Sequence, residues 1–368
     1  MTKTCCMFNY GPHYRDAIYS KIDKELNYHL YFGDKVPGDI KKTDVSTYKN
    51  YQKDLKNIFA GNLYWQRGAI RNVFRPYENF IMTGELSIVS TWIVMILARM
   101  LNKKVYIWSH GWYERDGKVK SFFRNLFFGL SHKVLLYGDG AKKIMMNHGF
   151  SEEKLIGIYN SLNYDTQKKV RDKLTYTDVF TKKFANNYPT LSYIGRIQKW
   201  KRLDLLIDAI AHLKSEGILL NLVIIGEDTD NTGFSQYISE NNLSNNVWLY
   251  GASFDEEEIG TLLFNSNICV SPGNVGLTAI HSLMYGTPVI THGDFGFQGP
   301  EVEAISDGVN GRFFKRDDSH DLALKIREWL IDHPSTDEAL RKSCYKIVDE
   351  RYNPYYQIEV LRKHVGAE

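Results

Sequence analysis

One stretch, residues 267 to 311 (NICVSPGNVGLTAIHSLMYGTPVITHGDFGFQGPEVEAISDGVNG), constrains the fold of this chain more than any other. Ile268 to Ser271 is a short apolar run with the character of a buried strand. Pro272-Gly273-Asn274 breaks that run, and Leu277, Ile280, Leu283 and Met284 then follow at helical spacing. Gly286-Thr-Pro288 ends the helix, and Val289-Ile-Thr291 begins another buried strand. Strand, glycine turn and helix in that order aim backbone N–H groups and the positive end of a helix dipole at one point, a place for an anion and above all for a phosphate. The following loop sets Gly293, Gly296 and Gly299 ahead of Glu301 and Glu303. An ordinary strand–helix–strand unit without a ligand fits the same stretch, so the rest of the chain has to arbitrate.

It does so by repetition. Thr4 to Phe8 reads as a strand, followed by Asn9-Tyr-Gly11-Pro-His13 and a helical stretch, and Leu30 to Phe32 reads as the next strand. Residues 34–55 are polar and read as a surface excursion. Phe80-Ile-Met82 leads through Gly84-Glu85 into an apolar helix, and Val105 to Trp108 is a strand ending in Ser109-His110-Gly111. His110 therefore stands at the carboxyl end of a strand, where open α/β sheets take their ligands; a structural role fits a lone histidine equally well. Residues 166–188 are polar with no clear period and read as a linker. Beyond them the alternation restarts, with strands at Leu191–Ile194, Leu220–Ile225 and Val247–Tyr250, and helices at Leu203–Lys214, Phe234–Asn241 and Glu256–Phe264. Such alternation implies parallel sheets covered on both faces, in two doubly wound halves. Neither half has a G-x-G-x-x-G fingerprint, which argues against a dinucleotide-dependent oxidoreductase.

Charge separates the halves. Residues 1–180 hold 28 Lys and Arg against 17 Asp and Glu, whereas the remainder holds 18 against 26, within a net charge of +3. The N-terminal half is thus drawn to anionic surfaces. No motif for reading bases accompanies the charge, so no nucleic-acid partner is expected. Lys118 to Lys133 places Phe122, Phe123, Leu126, Phe127 and Leu130 on one helical face beside Lys118, Lys120 and Arg124. That pattern suits an interfacial helix on an anionic membrane, and a core helix with solvated charges reads the same way. Four cysteines (Cys5, Cys6, Cys269, Cys344) show no metal-ligand spacing, and with no secretory signal they point to a reducing, cytoplasmic compartment.

Gly195-Arg196-Ile-Gln-Lys-Trp-Lys201-Arg-Leu-Asp204 is similar to the G-R-x-x-x-x-K-G-x-D signature of family-4 retaining glycosyltransferases. Val223-Ile-Ile-Gly226, Tyr250-Gly251, the 267–311 stretch and Glu303-Ala-Ile-Ser-Asp-Gly308-Val-Asn-Gly311 follow in that family's order. Ser109-His110-Gly111 and Ile158-Tyr-Asn160 resemble its N-terminal positions more weakly. The resemblance implies the GT-B fold: two Rossmann-like α/β domains facing a cleft, 1–180 on the acceptor side and 181–350 holding a nucleotide sugar, with a C-terminal helix in 351–368 returning to the first domain. It further implies a hexosyltransferase working on a UDP-sugar, or a GDP-sugar, without a metal or other cofactor. Its acceptor would be a glycan or a lipid-linked glycan of capsule, O-antigen or exopolysaccharide assembly, and its location the cytoplasm or the inner face of the cytoplasmic membrane.

In such an enzyme His110, Arg196 and Lys201 would be catalytic. Gly11, Gly195, Gly226, Gly251, Asn274, Gly276, Leu277, Thr278, His281 and Glu303 would line the donor, with the Thr278 hydroxyl adding a hydrogen-bond donor. Lys118, Lys120, Phe122, Phe123, Arg124 and Phe127 would face the membrane or acceptor. One departure stands out. Two glutamates that the family carries eight positions apart fall here on Gly273 and His281. His281 can still bond ribose hydroxyls; Gly273 has no side chain to offer. A non-catalytic nucleotide-sugar-binding or scaffold protein, or a sugar-nucleotide epimerase, are the alternatives.

Overall fold

Nearly every short apolar run becomes a strand buried on both faces. In the computed structural model, which describes residues 3–38, 40–112 and 117–366, the chain forms two compact units, Met1–Asn163 with Arg351–Glu368, and Tyr164–Glu350. The first is built on an eight-stranded sheet of β1 (Thr4–Phe8), β2 (His29–Gly33), β3 (Tyr51–Ala60), β4 (Leu63–Arg67), β5 (Asn79–Thr83), β6 (Lys104–Ser109), β7 (Lys133–Leu136) and β8 (Leu155–Gly157), in the order 4-3-2-1-5-6-7-8. All neighbours are parallel except β3 and β4. β1 shows why its sequence is continuously apolar: Cys5 and Met7 pack into the helix layer on one face, Cys6 and Phe8 into the layer on the other. All four cysteines are buried as free thiols.

The second unit is built on a six-stranded parallel sheet of β9 (Thr190–Ile194), β10 (Asn221–Ile225), β11 (Val247–Gly251), β12 (Ile268–Ser271), β13 (Val289–His292) and β14 (Gly311–Phe314), in the order 11-10-9-12-13-14. Its core joins Leu206 and Ile210, from helix Leu203–Ser215, to Trp329 from helix Ser319–Asp332.

Three segments differ from expectation. Residues 34–55 are not all surface excursion, because β3 begins at Tyr51 and pairs with β4 across a turn at Gly61 (φ +59°). Only Leu55 and Asn57 of β3 are buried, so the strand lacks an apolar signature. Residues 166–188 carry helices Tyr164–Arg171 and Val179–Phe184 within the second unit. There Phe180 packs with Leu262 and Tyr285, and Arg171 pairs with Asp349 at 2.9 and 3.0 Å. Helix Pro354–His364, capped by the Asn353 side chain, sets Ile358 and Leu361 into the core of the first unit.

The third is helix Lys118–Leu130. Phe122 (66% exposed), Phe123, Leu126 and Val119 face solvent, but Phe127 is fully buried against the Trp92 ring at 4.9 Å. Arg124 is buried too, and its Nη1 donates to the Gly111 carbonyl at 2.7 Å. Positions 124, 127 and 128 share one helical face, and that face is the inner one. Phe127 therefore belongs to the core, not to a membrane or acceptor surface, whereas Arg124, though buried, still lines a groove beside Lys118 and Phe123. No helix among the described residues is long and apolar enough to cross a membrane. Phe127→Ala should destabilise the protein by about 3–5 kcal/mol, and Phe122→Ala by no more than about 0.5 kcal/mol, as measured by urea denaturation.

Candidate functional site

In the second sheet β9 and β12 are neighbours, while β10 lies on one side and β13 on the other. Connections leaving β9 and β12 therefore part company, opening a crevice beyond their carboxyl ends. On one side of it lies a ledge of bare backbone. The Gly195 N–H bonds the Ile225 carbonyl at 2.9 Å, and the Gly226 N–H bonds the Gly251 carbonyl at 2.9 Å. A Cβ on Gly226 would fall 1.9 Å from the Gly195 oxygen, so only glycine allows this approach. Gly195, Gly226 and Gly251, predicted separately, are thus brought side by side.

Arg196 follows directly and is exposed, and among the described residues no carboxylate pairs with it. Lys201 is buried, with its ammonium donating to the Asn274 carbonyl at 2.6 Å. Burial pulls its pKa down to about 8; the Glu301 carboxylate works against that shift and Arg196 adds to it. Arg196, Lys201 and Glu301 thus share one electrostatic neighbourhood.

The loop after β12 closes onto this group. The Gly273 N–H bonds the Lys201 carbonyl at 2.9 Å, and a Cβ on Gly273 would lie 2.4 Å from the Trp200 oxygen. Backbone contact thus occupies the position that the sequence resemblance matched to a glutamate. Gly276 adopts φ +51°, ψ −145°, a conformation open in practice to glycine alone. It begins helix Leu277–Met284, whose first N–H groups, at Gly276, Leu277 and Thr278, have no acceptor within their own helix. Gln298 staples the loop: its Oε1 accepts from the Val275 N–H at 2.9 Å, and its Nε2 donates to the Thr291 hydroxyl and the His292 carbonyl.

The other predicted residues have partners that the sequence did not show. The Thr278 hydroxyl donates to the Ile194 carbonyl at 2.7 Å, so its proton is committed and the N–H groups remain as the donors of this turn. His281 Nε2 lies 3.0 Å from Glu256 Oε2, which also accepts from the Tyr285 hydroxyl at 2.6 Å. Burial favours the protonated Glu256, but bonds from His281, Tyr285 and Gln167 outweigh it and hold its pKa below the ordinary value. Glu303 is half-buried on the turn Pro300–Ala304; the buried Glu301, two residues earlier, is the carboxylate acting on Lys201. Gly11 and His110 belong to the first unit. Gly11 packs on Phe32, where a Cβ would meet the ring at 2.9 Å, and His110 is exposed with its ring 4.7 Å from that of Tyr137.

Sequence reasoning missed Glu301, Gln298 and Glu256. Glu301 had a signal, the Gly299-Pro-Glu step, but two acidic residues share that turn and only the fold separates them. No group of three or more His, Cys, Asp or Glu residues able to hold a metal occurs among the described residues.

Residues 177–347 match the family described as "Glycosyl transferases group 1". The chain is 22% identical over 402 residues to a probable glycogen synthase 2 from Nostoc sp., covering 96% of this chain and 75% of that protein. In three dimensions it is similar to the Anabaena protein Alr3699/HepE, crystallised with UDP, with a TM-score of 0.73, 14% identity and coverage of 98% and 99%. It is also similar to the lipopolysaccharide outer core galactosyltransferase WaaB, with a TM-score of 0.71, 14% identity and coverage of 98% of both chains. The fold is that of the GT-B glycosyltransferases, and the protein is a glycosyltransferase.

The Gly273 contact makes a prediction against intuition. A glutamate at this position, Gly273→Glu, should push the Trp200–Lys201 backbone aside and lower stability by about 1–3 kcal/mol. Thermal and urea unfolding of the variant beside wild type measure this.

Proposed function

We propose that the protein transfers a hexosyl group from a UDP-sugar to a glycan or lipid-linked glycan, with retention of configuration, as a family-4 enzyme of surface-polysaccharide assembly. In this reading the Tyr164–Glu350 unit holds the donor and the Met1–Asn163 unit the acceptor, at the inner face of the cytoplasmic membrane. The observation that carries it is the meeting of Arg196, Lys201 and the N-terminus of helix Leu277–Met284 at the crevice between β9 and β12. As the glycosidic bond breaks, negative charge grows on the departing diphosphate. Arg196 offers a planar fork to two of its oxygens, Lys201 a compact charge, and the helix start its N–H groups. These groups supply the charge compensation a metal would otherwise provide.

UDP is favoured over GDP because the similar Anabaena protein was crystallised with UDP, and WaaB supports a role in assembling a surface glycan. The glycine at 273 favours a non-catalytic binding protein less than it first suggests, since Glu301 returns a carboxylate to the neighbourhood of Lys201.

A thermal-shift panel of UDP, GDP, their common sugars and free sugars tests the donor: UDP-sugars should raise the melting temperature and free sugars should not. Stabilisation by none of the nucleotides would overturn the reading. Arg196→Ala and Lys201→Ala should each slow transfer by roughly 100- to 1,000-fold with the fold intact.

The Lys201 ammonium also sets a pH dependence. With a pKa of about 8 in the free protein, it is charged at neutral pH and loses its proton as pH rises through that value. UDP affinity should therefore fall above pH 8, by at most about tenfold per unit for one proton. Lys201→Arg, charged throughout, should flatten the profile; an identical fall in that variant would remove Lys201 from the diphosphate contact. Isothermal titration across pH 7 to 9.5 reads both.

A further inference from the structure

The first sheet reverses its winding as well. β1 lies between β2 on one side and β5 on the other, so the carboxyl ends of β1 and β5 flank a crevice of the same kind as that between β9 and β12. Asn9, just after β1, and Glu85, just after β5, meet there. The Asn9 backbone N–H bonds the Thr83 hydroxyl at 3.0 Å, and Asn9 Nδ2 donates to Glu85 Oε1 at 3.1 Å. The Tyr64 hydroxyl donates to Glu85 Oε2 at 3.2 Å. Tyr64 is delivered by β4, whose backbone is tied to the β5 exit loop by the Tyr64 N–H to Ser87 carbonyl bond at 2.9 Å. Gly84 fixes the position of its neighbour, because a Cβ there would fall 2.3 Å from Ile107.

Glu85 is exposed yet ringed by protein atoms, and that confinement pushes its pKa above the ordinary carboxyl value, with the Tyr64 bond opposing the shift. A side chain that is reachable and partly desolvated at once is what the floor of a groove provides. The groove holds about 1520 Å³. Leu63, Trp92, Phe123 and Leu126 form an apolar wall, and His110 and Lys118 flank it. Leu63, Phe123 and Leu126 are among the large apolar side chains this protein leaves in solvent. A carboxyl with two donors fixed on it still has lone pairs for hydroxyl hydrogens. A hydrocarbon wall, in contrast, only disfavours sugar hydroxyls brought against it. The two halves of the groove thus ask for one molecule with a polar end and an apolar end. Lys118 and the excess of basic residues in the first 180 favour an anionic link between them.

We propose that this groove seats the acceptor as a lipid-linked sugar: Glu85, held by Asn9 and Tyr64, receives hydrogen bonds from the hydroxyls of its sugar, and the Leu63–Trp92–Phe123–Leu126 wall receives its hydrocarbon chain. This rests on the glycosyl-transfer reading above and names the class of its acceptor. A sugar without a lipid would leave the wall bare, and a lipid without a sugar would leave Glu85 unused.

Methyl, butyl, hexyl and octyl β-glucosides, each below its micelle concentration, serve as probes on the full chain without donor, with binding read by calorimetry and by tryptophan fluorescence. Affinity should climb with chain length, by up to roughly fourfold per methylene buried. Phe123→Ser with Leu126→Ser should flatten that slope, while Phe122→Ser, outside the groove lining, should leave it unchanged. Glu85→Ala should weaken every glucoside by a common factor of roughly ten without altering the slope, and Glu85→Gln should weaken them less. A flat slope in wild type, an unaltered slope in the Phe123→Ser/Leu126→Ser variant, or wild-type affinities in Glu85→Ala would each overturn the proposal. Far-UV circular dichroism and urea unfolding, measured on the same preparations, verify that the first unit of each variant is folded, and UDP stabilisation is measured beside them. If wild type binds UDP but shows no chain-length dependence, this acceptor assignment falls and the donor reading stands; if wild type does not bind UDP, the donor reading falls by itself.

Discussion

The second unit turns on a single backbone contact. The turn at Gly273 lies directly on Trp200 and Lys201, with one N–H to carbonyl bond between them, and the Lys201 ammonium returns the contact through the Asn274 carbonyl. Two loops that leave different strands are thereby joined before any ligand arrives. The consequence is electrostatic. Lys201 is buried, with Arg196 near enough to act on it, so its charged form is disfavoured, and Glu301 recovers part of that cost. A cation held so is poised for an anionic partner, since an incoming phosphate would supply the compensation that water no longer gives.

Both sheets obey the same geometric rule, although they use it with opposite chemistry. Parallel strands wound in two directions leave a crevice at the reversal, and in each unit that crevice gathers polar groups the surrounding core cannot use. In the second unit these are cations and N–H groups. In the first they are a carboxyl, an amide and a phenol beside an apolar wall. Glycine does comparable work in both, at Gly226 and Gly84, where the backbone or a neighbouring side chain comes too close for any Cβ.

The helix Lys118–Leu130 shows how far a composition argument reaches. Its basic and aromatic residues suggested one amphipathic face, but the inward face combines Phe127 and Phe128 with the guanidinium of Arg124, bonded to a backbone carbonyl. A buried hydrogen-bonded arginine and a solvated one have the same letter. What remains outside (Val119, Phe122, Phe123 and Leu126) is a smaller apolar surface than the helical wheel implied.

The alternation of apolar runs with helical spacing was enough to determine two largely parallel α/β sheets, and the strand–glycine–helix order at 267–311 was enough to predict the turn at Gly276 and the helix that starts there, because both follow from local periodicity and backbone stereochemistry. The ledge of Gly195, Gly226 and Gly251 was legible for the same reason, each glycine ending a strand. Tertiary structure alone decided the rest. Glu301, buried on the turn Pro300–Ala304, is the carboxylate whose charge acts on Lys201, while Glu303 on the same turn is only half-buried. His281 is engaged by Glu256 from another helix, a pairing 25 residues apart that no local pattern encodes. Hairpin β3–β4 escaped notice because a strand with only two buried residues carries almost no hydrophobic signal, and with it went Tyr64 and the setting of Glu85. Periodicity reports which side of an element meets the core; which polar groups from distant elements meet one another is decided only when the sheets close.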